Sequence, residues 1–200
     1  MDLRLFAALD PSGPVREQIA DRQAVVRRAA GHLADLVRWT PVDRLHVTLQ
    51  FLGAVPEERV PSIRAAMEAA AADSRPLALQ VIGAGGFPGA GRPRVVWLGV
   101  RDDEGRLAAL AADLAERLAA LGFPRTGRPL SPHFTLGRAR DGRGPPGLGG
   151  AIAAAAVAPG IRWPATELCL FRSHLSSAGA RYEALARFPL GPIRDGAGEK

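Results

Sequence analysis

One segment of the chain, residues 45–53, alternates strictly between apolar and polar positions. Its apolar positions are Leu45, Val47, Leu49 and Phe51, and the polar positions between them are His46, Thr48 and Gln50. A period of two is typical of a half-buried strand, because successive side chains point to opposite faces of a sheet. The pattern predicts a strand that ends at Gly53, with Phe51 on the core face and His46 and Thr48 together on the other face.

Leucine spacing predicts the clearest helix, over residues 104–121. The leucines of this segment recur at steps of three and four, so they lie on one face of a helix. Gly122 follows as a C-terminal cap, and Pro124 lies just beyond it. Weaker spacing of the same kind predicts helices over residues 14–36 and 57–73.

The remaining apolar runs predict strands, and glycine and proline mark the loops between them. Four of these strands are expected at residues 3–9, 77–82, 94–100 and 133–140. Residues 165–190 are expected to form a hairpin whose turn is the sequence SSAG. The glycine-rich residues 83–93 and 141–150 are expected to be loops. This order of strands and helices favours an α+β fold with largely antiparallel sheet.

Length and charge narrow the interpretation only slightly. The 200 residues fit one domain, expected over residues 1–190, with residues 191–200 as a frayed tail. The formal net charge of +6 favours anionic partners such as phosphates or nucleic acid. The sequence contains no run of five or more basic residues, so it has no obvious nucleic-acid-binding arm.

The single cysteine and the apolar runs bear on the cellular compartment. Cys169 lies in an apolar run and is expected in the core, since one cysteine forms neither an intrachain disulfide nor a zinc cage. The N-terminal segment does not resemble a signal peptide, and the apolar run at residues 151–159 is too short to cross a bilayer. We therefore expect a cytoplasmic protein with no membrane-spanning segment.

The most informative pattern is a pair of similar tetrapeptides, HVTL at residues 46–49 and HFTL at residues 133–136. In a strand, positions i and i+2 share a face, so each tetrapeptide would present one imidazole and one hydroxyl together. Two imidazoles can divide acid–base work, and threonine hydroxyls can hydrogen-bond phosphoryl oxygens. The pair therefore indicates acid–base chemistry that needs no metal, for which a cyclic phosphate is a suitable substrate.

Other interpretations of these residues stay open at this point. A histidine in a half-buried strand is often only structural, although two copies in matching contexts are harder to explain in this way. Metal ligation by His46 and His133 would lack an H-E-x-x-H motif and a carboxylate-rich cluster. The glycine-rich residues 83–93 lack the lysine of a P-loop, and His32 and His174 lie outside the paired motif.

Five segments of the chain match the pattern of a known family: RLFAALDP, LHVTLQFLG, RPRVVWLGV, PHFTLGRAR and LCLFRSHL…RYEALARFPL. They resemble the 2H phosphoesterase superfamily, and specifically the bacterial and archaeal RNA 2′,3′-cyclic phosphodiesterases once called 2′-5′ RNA ligases. The resemblance covers residues 3–190. It implies a bilobal α+β fold in which two related lobes with mainly antiparallel sheets flank a central cleft, with the helices outside.

The resemblance also implies an activity and a role for each site residue. Such family members hydrolyse a terminal 2′,3′-cyclic phosphate to a 2′-phosphomonoester. By this resemblance His46 is the general acid that protonates the departing 3′ oxygen, and His133 is the general base that activates water. Thr48 and Thr135 would bind the phosphate, and Arg138 would stabilise it.

Arg138 fits this scheme only if its strand is irregular. It lies five residues after His133, so strict alternation places its side chain on the opposite face. Gly137 could break the alternation with a bend or a bulge. A solvated arginine is the alternative interpretation.

The implied partners are RNA ends that carry a 2′,3′-cyclic phosphate, or small cyclic nucleotides. The resemblance implies no cofactor, no metal and no membrane, and a monomer is expected. Two alternatives remain for the function. The same site could catalyse 2′-5′ RNA ligation, or the protein could bind RNA ends without turnover.

Overall fold

Nine strands and four helices form the described part of the chain, which is residues 1–125, 127, 129–155, 160–176 and 179–191 of this computed structural model. The strands are β1 (Asp2–Leu9), β2 (Val37–Trp39), β3 (Val47–Pro56), β4 (Leu77–Phe87), β5 (Val95–Arg101), β6 (His133–Ala139), β7 (Ile161–Ala165), β8 (Glu167–Ser176) and β9 (Gly179–Pro189). The helices are α1 (Gly13–Ala30), α2 (Val60–Ala72), α3 (Arg106–Ala120) and α4 (Leu148–Ala155).

The strands form two sheets in which every observed pairing is antiparallel. The first sheet has the order β3-β1-β8-β9, and the second sheet has the order β2-β6-β5-β4-β7. Helices α2 and α3 contact the first sheet, whereas α1 and α4 contact β7 and β4 of the second. The α+β class and the two-lobed antiparallel architecture predicted from the sequence are confirmed.

One buried apolar cluster contains residues of both sheets and of the helices. The predicted leucine face of α3 belongs to it, through Leu107, Leu110, Leu114 and Leu118. A smaller cluster lies on the other face of the first sheet and contains Phe6, Ala8, Cys169 and Phe171. Cys169 is thus buried, as predicted, and burial raises the pKa of its thiol to about 12.

The predicted ends of α1 and β4, both next to glycine, were wrong. Helix α1 ends at Ala30, because Gly31 has a φ of 54° and a 3₁₀ turn follows. Strand β4 extends to Phe87 through glycines that were predicted to be a loop. A Cβ at Gly85 would lie 2.3 Å from the ring of Trp97, so the strand can pass this ring only with glycine there.

Three short elements, β2, β7 and α4, were not predicted, and α4 begins within the expected loop at residues 141–150. The predicted hairpin is present as β8 and β9. Residues 177 and 178 of its turn and residues 192–200 of the expected tail lie outside the described residues. Among the helices that the structure describes, none is long and apolar enough to cross a membrane.

The strict alternation predicted for β3 was also wrong. Thr48 pairs with Ala8 and Gln50 pairs with Ala7, so Leu49 is an extra residue, and a second irregularity follows at Leu52. Such bulges reverse the face on which later residues project. Gln50 is therefore buried at 4% exposure, and Phe51, predicted to lie in the core, is 64% exposed. The strand also continues beyond Gly53 to Pro56.

Candidate active site

His46 lies one residue before β3, with its ring orientation set by the backbone. Its Nδ1 is 2.8 Å from the carbonyl oxygen of Arg44. A carbonyl oxygen only accepts hydrogen bonds, so Nδ1 carries a proton and donates it, which leaves Nε2 for a ligand. The ring packs against Phe6, at 4.8 Å between centroids, and lies edge-on to Tyr182 at 5.0 Å.

His133 is the first residue of β6 and is held in the same way. Its Nδ1 is 2.6 Å from the carbonyl oxygen of Ser131. The ring lies 5.0 Å from the ring of Phe87 and 6.4 Å from that of Trp97, between centroids. In both motifs the carbonyl two residues earlier selects the tautomer, so both imidazoles keep Nε2 for substrate.

The two imidazoles interact electrostatically, because strands β3 and β6 bring the two sheets into contact. Burial is the main cause that lowers the pKa of both His46 and His133. The hydrogen bonds to the two carbonyls oppose this shift, and Asp10 also opposes it at His46. The charge of His133 adds to the lowering of the His46 pKa, and Arg138 adds to the lowering of the His133 pKa. Both rings therefore favour the neutral form in the free protein.

A carboxylate between two arginines supports the His46 side of the site. Both Arg16 and Arg187 bind Asp10, the latter at 2.9 Å. Arg16 also donates to the carbonyl oxygens of Val42, at 3.0 Å, and Leu45, at 3.1 Å. These contacts tie α1 and the end of β1 to the segment that leads into His46. Sequence analysis missed this network: Asp10 and Arg187 lie in segments that match the family pattern, but the pattern does not show that these residues meet.

Both motif threonines lie on the same faces as the histidines, as the sequence predicted. Thr48 is opposite Ala8, whose side chain belongs to the cluster on the non-core face of the first sheet. In the second sheet, Thr135 is opposite Trp97 and His133 is opposite Gly99, and these two partners are themselves two residues apart. Each motif therefore presents its imidazole and hydroxyl together.

Arg138 shares this face because β6 contains a bulge. Thr135 pairs with Trp97 and Arg138 pairs with Val95, which leaves Leu136 as the extra residue. Val95 and Trp97 are two residues apart on a regular strand, so their partners project to one side. Sequence analysis considered a bulge at Gly137, and the structure has one at the neighbouring Leu136. This bulge places the side chain of Arg138 on the same face as His133.

A pocket of about 320 Å³ opens beside His46. Besides His46, its charged and polar lining consists of three arginines, two aspartates and a tyrosine: Arg16, Arg44, Arg187, Asp10, Asp43 and Tyr182. Arginine is the side chain best suited to bind phosphate, because its planar guanidinium offers several donors at once. The pocket can therefore accommodate an anionic group next to the imidazole.

The other histidines of the chain do not join the pair. His32 is exposed in the 3₁₀ turn after α1, and Nε2 of His174 is 2.7 Å from a carboxylate oxygen of Glu183 on the β8–β9 hairpin. Across the described ranges, no group of three or more histidine, cysteine or acidic residues is arranged to hold a metal ion.

Comparison with known proteins adds independent evidence. The family model described as the 2′-5′ RNA ligase superfamily matches residues 11–176. A Thermus thermophilus protein named RNA 2′,3′-cyclic phosphodiesterase is 36% identical over 197 residues, which cover 94% of this chain and 90% of that protein. A Geobacillus stearothermophilus protein of the same name is 34% identical over 160 residues, or 79% of this chain. That alignment spans 49% of the Geobacillus protein, so the chain matches about half of its length.

A solved structure has the same architecture. The crystal structure of Escherichia coli LigT complexed with 3′-AMP matches with a TM-score of 0.71 and 28% identity. The match covers 95% of this chain and 99% of that one. The two structures therefore share their fold over nearly the whole of both chains.

Proposed function

The chain belongs to the 2′-5′ RNA ligase superfamily, and from this premise we propose that it hydrolyses the terminal 2′,3′-cyclic phosphate of RNA to a 2′-phosphomonoester. The observation that carries the proposal is the matched pair of imidazoles. His46 and His133 each donate from Nδ1 to a backbone carbonyl and keep Nε2 for substrate. Two such groups can accept one proton and supply another in a single step.

The proposed reaction proceeds by in-line attack of water on the cyclic phosphate. His133 takes a proton from water as the oxygen attacks phosphorus, and the bond from phosphorus to the 3′ oxygen breaks. His46 gives its proton to that departing oxygen, so a 3′ hydroxyl and a 2′-phosphomonoester result. The local geometry of the two histidines is equivalent and does not distinguish the acid from the base. The family resemblance is what supports this division of roles. Proton exchange with solvent then restores both rings.

Three further side chains would stabilise the negative charge that develops on the phosphoryl oxygens. Thr48 and Thr135 would donate hydrogen bonds, and Arg138 would add a positive charge. A bound phosphate anion favours the protonated form of a nearby imidazole, so substrate raises the pKa values that burial lowers. Substrate binding therefore helps to charge the histidine that must act as the acid.

We propose that this chemistry uses no metal or cofactor and that the enzyme works as a monomer in the cytoplasm. In this mechanism His133 takes up the proton and His46 releases one, so neither step is assigned to a metal or cofactor. The chain has a single cysteine, Cys169, and so no intrachain disulfide, which suits a reducing compartment. Light scattering on the purified protein would test the monomer directly.

The decisive test is product analysis with a short RNA that ends in a 2′,3′-cyclic phosphate, in the presence of EDTA. We expect the wild-type protein to form the 2′-phosphomonoester and the His46→Ala variant to form almost none. The His32→Ala variant is the matched control, because this exposed histidine lies outside the site, and it should remain active. A His46→Ala variant that folds and retains full activity would contradict the proposal. Joining to a 5′-hydroxyl RNA in place of hydrolysis would indicate ligation.

A further inference from the structure

A second arginine lies next to Arg138 on the cleft face of the second sheet. Arg38 is in the edge strand β2, directly opposite Arg138 of β6. Directly opposed residues of an antiparallel pair point to the same face, with Cβ atoms about 5 Å apart. Because Arg138 shares the face of His133 and Thr135, Arg38 projects to that face too.

This arrangement carries an energetic cost in the free protein. Like charges directly opposite each other on a sheet destabilise it. Both side chains are exposed, and within the described part of the chain neither guanidinium has an ion pair or a side-chain hydrogen bond. Other surface arginines do have such partners, as Arg101 has Asp103 and Arg117 has Asp113. Two anionic groups, one bound by each guanidinium group, would offset the repulsion.

The two arginines also form a line that leads out of the candidate site. Arg138 is close enough to His133 for its charge to affect that imidazole. Arg38 comes next, on the outermost strand of the sheet. An RNA that places its terminal cyclic phosphate at the histidines carries its next negative charge on the phosphodiester toward the 5′ end. At the sheet edge, Arg38 offers this phosphodiester a positive charge next to Arg138, which is assigned to the terminal phosphate.

We infer that Arg38 binds the phosphodiester on the 5′ side of the terminal nucleotide, as a second phosphate subsite of the cleft. This inference rests on the proposed function, since it takes the cyclic phosphate to lie at His46 and His133. It makes the enzyme selective for RNA ends over mononucleotide cyclic phosphates, because a mononucleotide lacks the group that Arg38 binds. It also gives β2, a strand of three residues, a role in substrate recognition.

The test compares two dinucleotides that end in a 2′,3′-cyclic phosphate. One has a normal internal phosphodiester, and the other has an uncharged methylphosphonate at that linkage. For the wild-type protein we expect kcat/KM to favour the charged linkage by roughly tenfold to a hundredfold, mainly through KM, as for one hydrogen bond to a charged group. In the Arg38→Gln variant this ratio should fall close to one. The Arg64→Gln variant, altered on the exposed surface of α2, should keep the wild-type ratio.

Each ratio is measured within one variant, so a partly unfolded preparation does not affect it. A wild-type ratio near one, or an Arg38→Gln variant that keeps the wild-type ratio, would overturn the inference. The affinities of both dinucleotides, labelled with a fluorophore, are measured in parallel by anisotropy. If no protein turned over any cyclic phosphate, the proposed function would fail, while the affinity ratios would still decide the role of Arg38.

Discussion

The two motif strands, β3 and β6, have the same irregularity at the same place. In each, the leucine of the tetrapeptide, Leu49 or Leu136, is an extra residue relative to the neighbouring strand. The residue five positions after the histidine therefore projects to the cleft face in both lobes. That residue is Phe51 in one lobe and Arg138 in the other. Both motif strands thus share the bulge. The residue that the bulge places on the cleft face differs, because it is aromatic in one lobe and cationic in the other.

The surroundings of the two histidines differ more than their backbones do. His46 is the more deeply buried and packs among aromatic rings, beside an Asp10 carboxylate that is itself held by arginines. His133 is the more open, and its nearby charge is the cation Arg138. The same backbone hydrogen bond orients each imidazole, whereas the degree of burial and the nearby charges, which act on the pKa, differ between the two.

The largest expected effect is on activity, and it tests whether the two histidines act as one unit. His46→Ala and His133→Ala should each lower kcat by roughly 10²–10⁴-fold, the usual contribution of a general acid or base. The double variant should be little worse than the poorer single variant, because groups that act together are not additive. Single-turnover kinetics would measure this. Losses that multiply in the double variant would show that the histidines act independently.

The next effect tests whether the bulge in β3 turns Phe51 away from the core. Phe134 is fully buried against Trp163, at 5.0 Å between ring centroids, whereas Phe51 is 64% exposed. Phe134→Ala should lower the free energy of unfolding by about 3–5 kcal/mol, as core truncations do. Phe51→Ala should lower it by less than about 1 kcal/mol. Urea unfolding of both variants decides the matter, and equal losses would mean that β3 keeps its strict alternation.

The bulge of β6 can be perturbed at the glycine that follows it. A Cβ at Gly137 would lie 2.6 Å from Val37 Cγ1 and 3.1 Å from the carbonyl oxygen of Arg38. Gly137→Ala should therefore destabilise the protein by about 1–3 kcal/mol through overpacking. Gly150→Ala is the matched control, since its new methyl group meets open space in α4 and should be neutral or slightly stabilising. Thermal unfolding would report the difference, and similar melting temperatures would contradict the close packing of β2 on β6.

The smallest effect is the pH dependence of stability. Burial lowers the folded-state pKa of His46 below the ordinary value of 6.5, so the unfolded chain binds the proton more tightly. The contribution of neutral His46 to the free energy of unfolding is fully present above pH 6.5. It is lost as the pH falls from 6.5 toward the lowered pKa. The His46→Asn variant should lose less stability between pH 7.5 and pH 5 than the wild type does. Urea unfolding at both pH values measures this, and equal losses would argue against a desolvated His46.

The sequence predicted the elements whose pattern is local and repeated. The leucine face of α3, the strand before Gly53 and the paired tetrapeptides all depend on residues close together in the chain. The bulge at Leu49 was not predicted, and the one at Leu136 was only left open at the neighbouring Gly137, because register depends on which strand pairs with which. The outward turn of Phe51 and the opposition of Arg38 and Arg138 follow from that pairing, so sequence analysis missed both.

The network around Asp10 illustrates a second limit. Its arginine partners come from α1 and from β9, at nearly opposite ends of the chain. Nothing in the local sequence distinguishes Arg16 or Arg187 from the many other arginines of this protein. Arg16 follows Asp10 by six residues, whereas Arg187 reaches the same carboxylate only because β1, β8 and β9 lie in one sheet.

The composition of that sheet has a consequence for protein synthesis. Its strands β1 and β3 are made early, but β8 and β9 begin only at Glu167. A nascent chain that has emerged through Ala165 already contains all five strands of the sheet around His133 and only two of the four strands around His46. The sheet around His46 is therefore completed only after β8 and β9 have been synthesised. Without β9, Asp10 would lack its partner Arg187, and His46 would lack the ring of Tyr182.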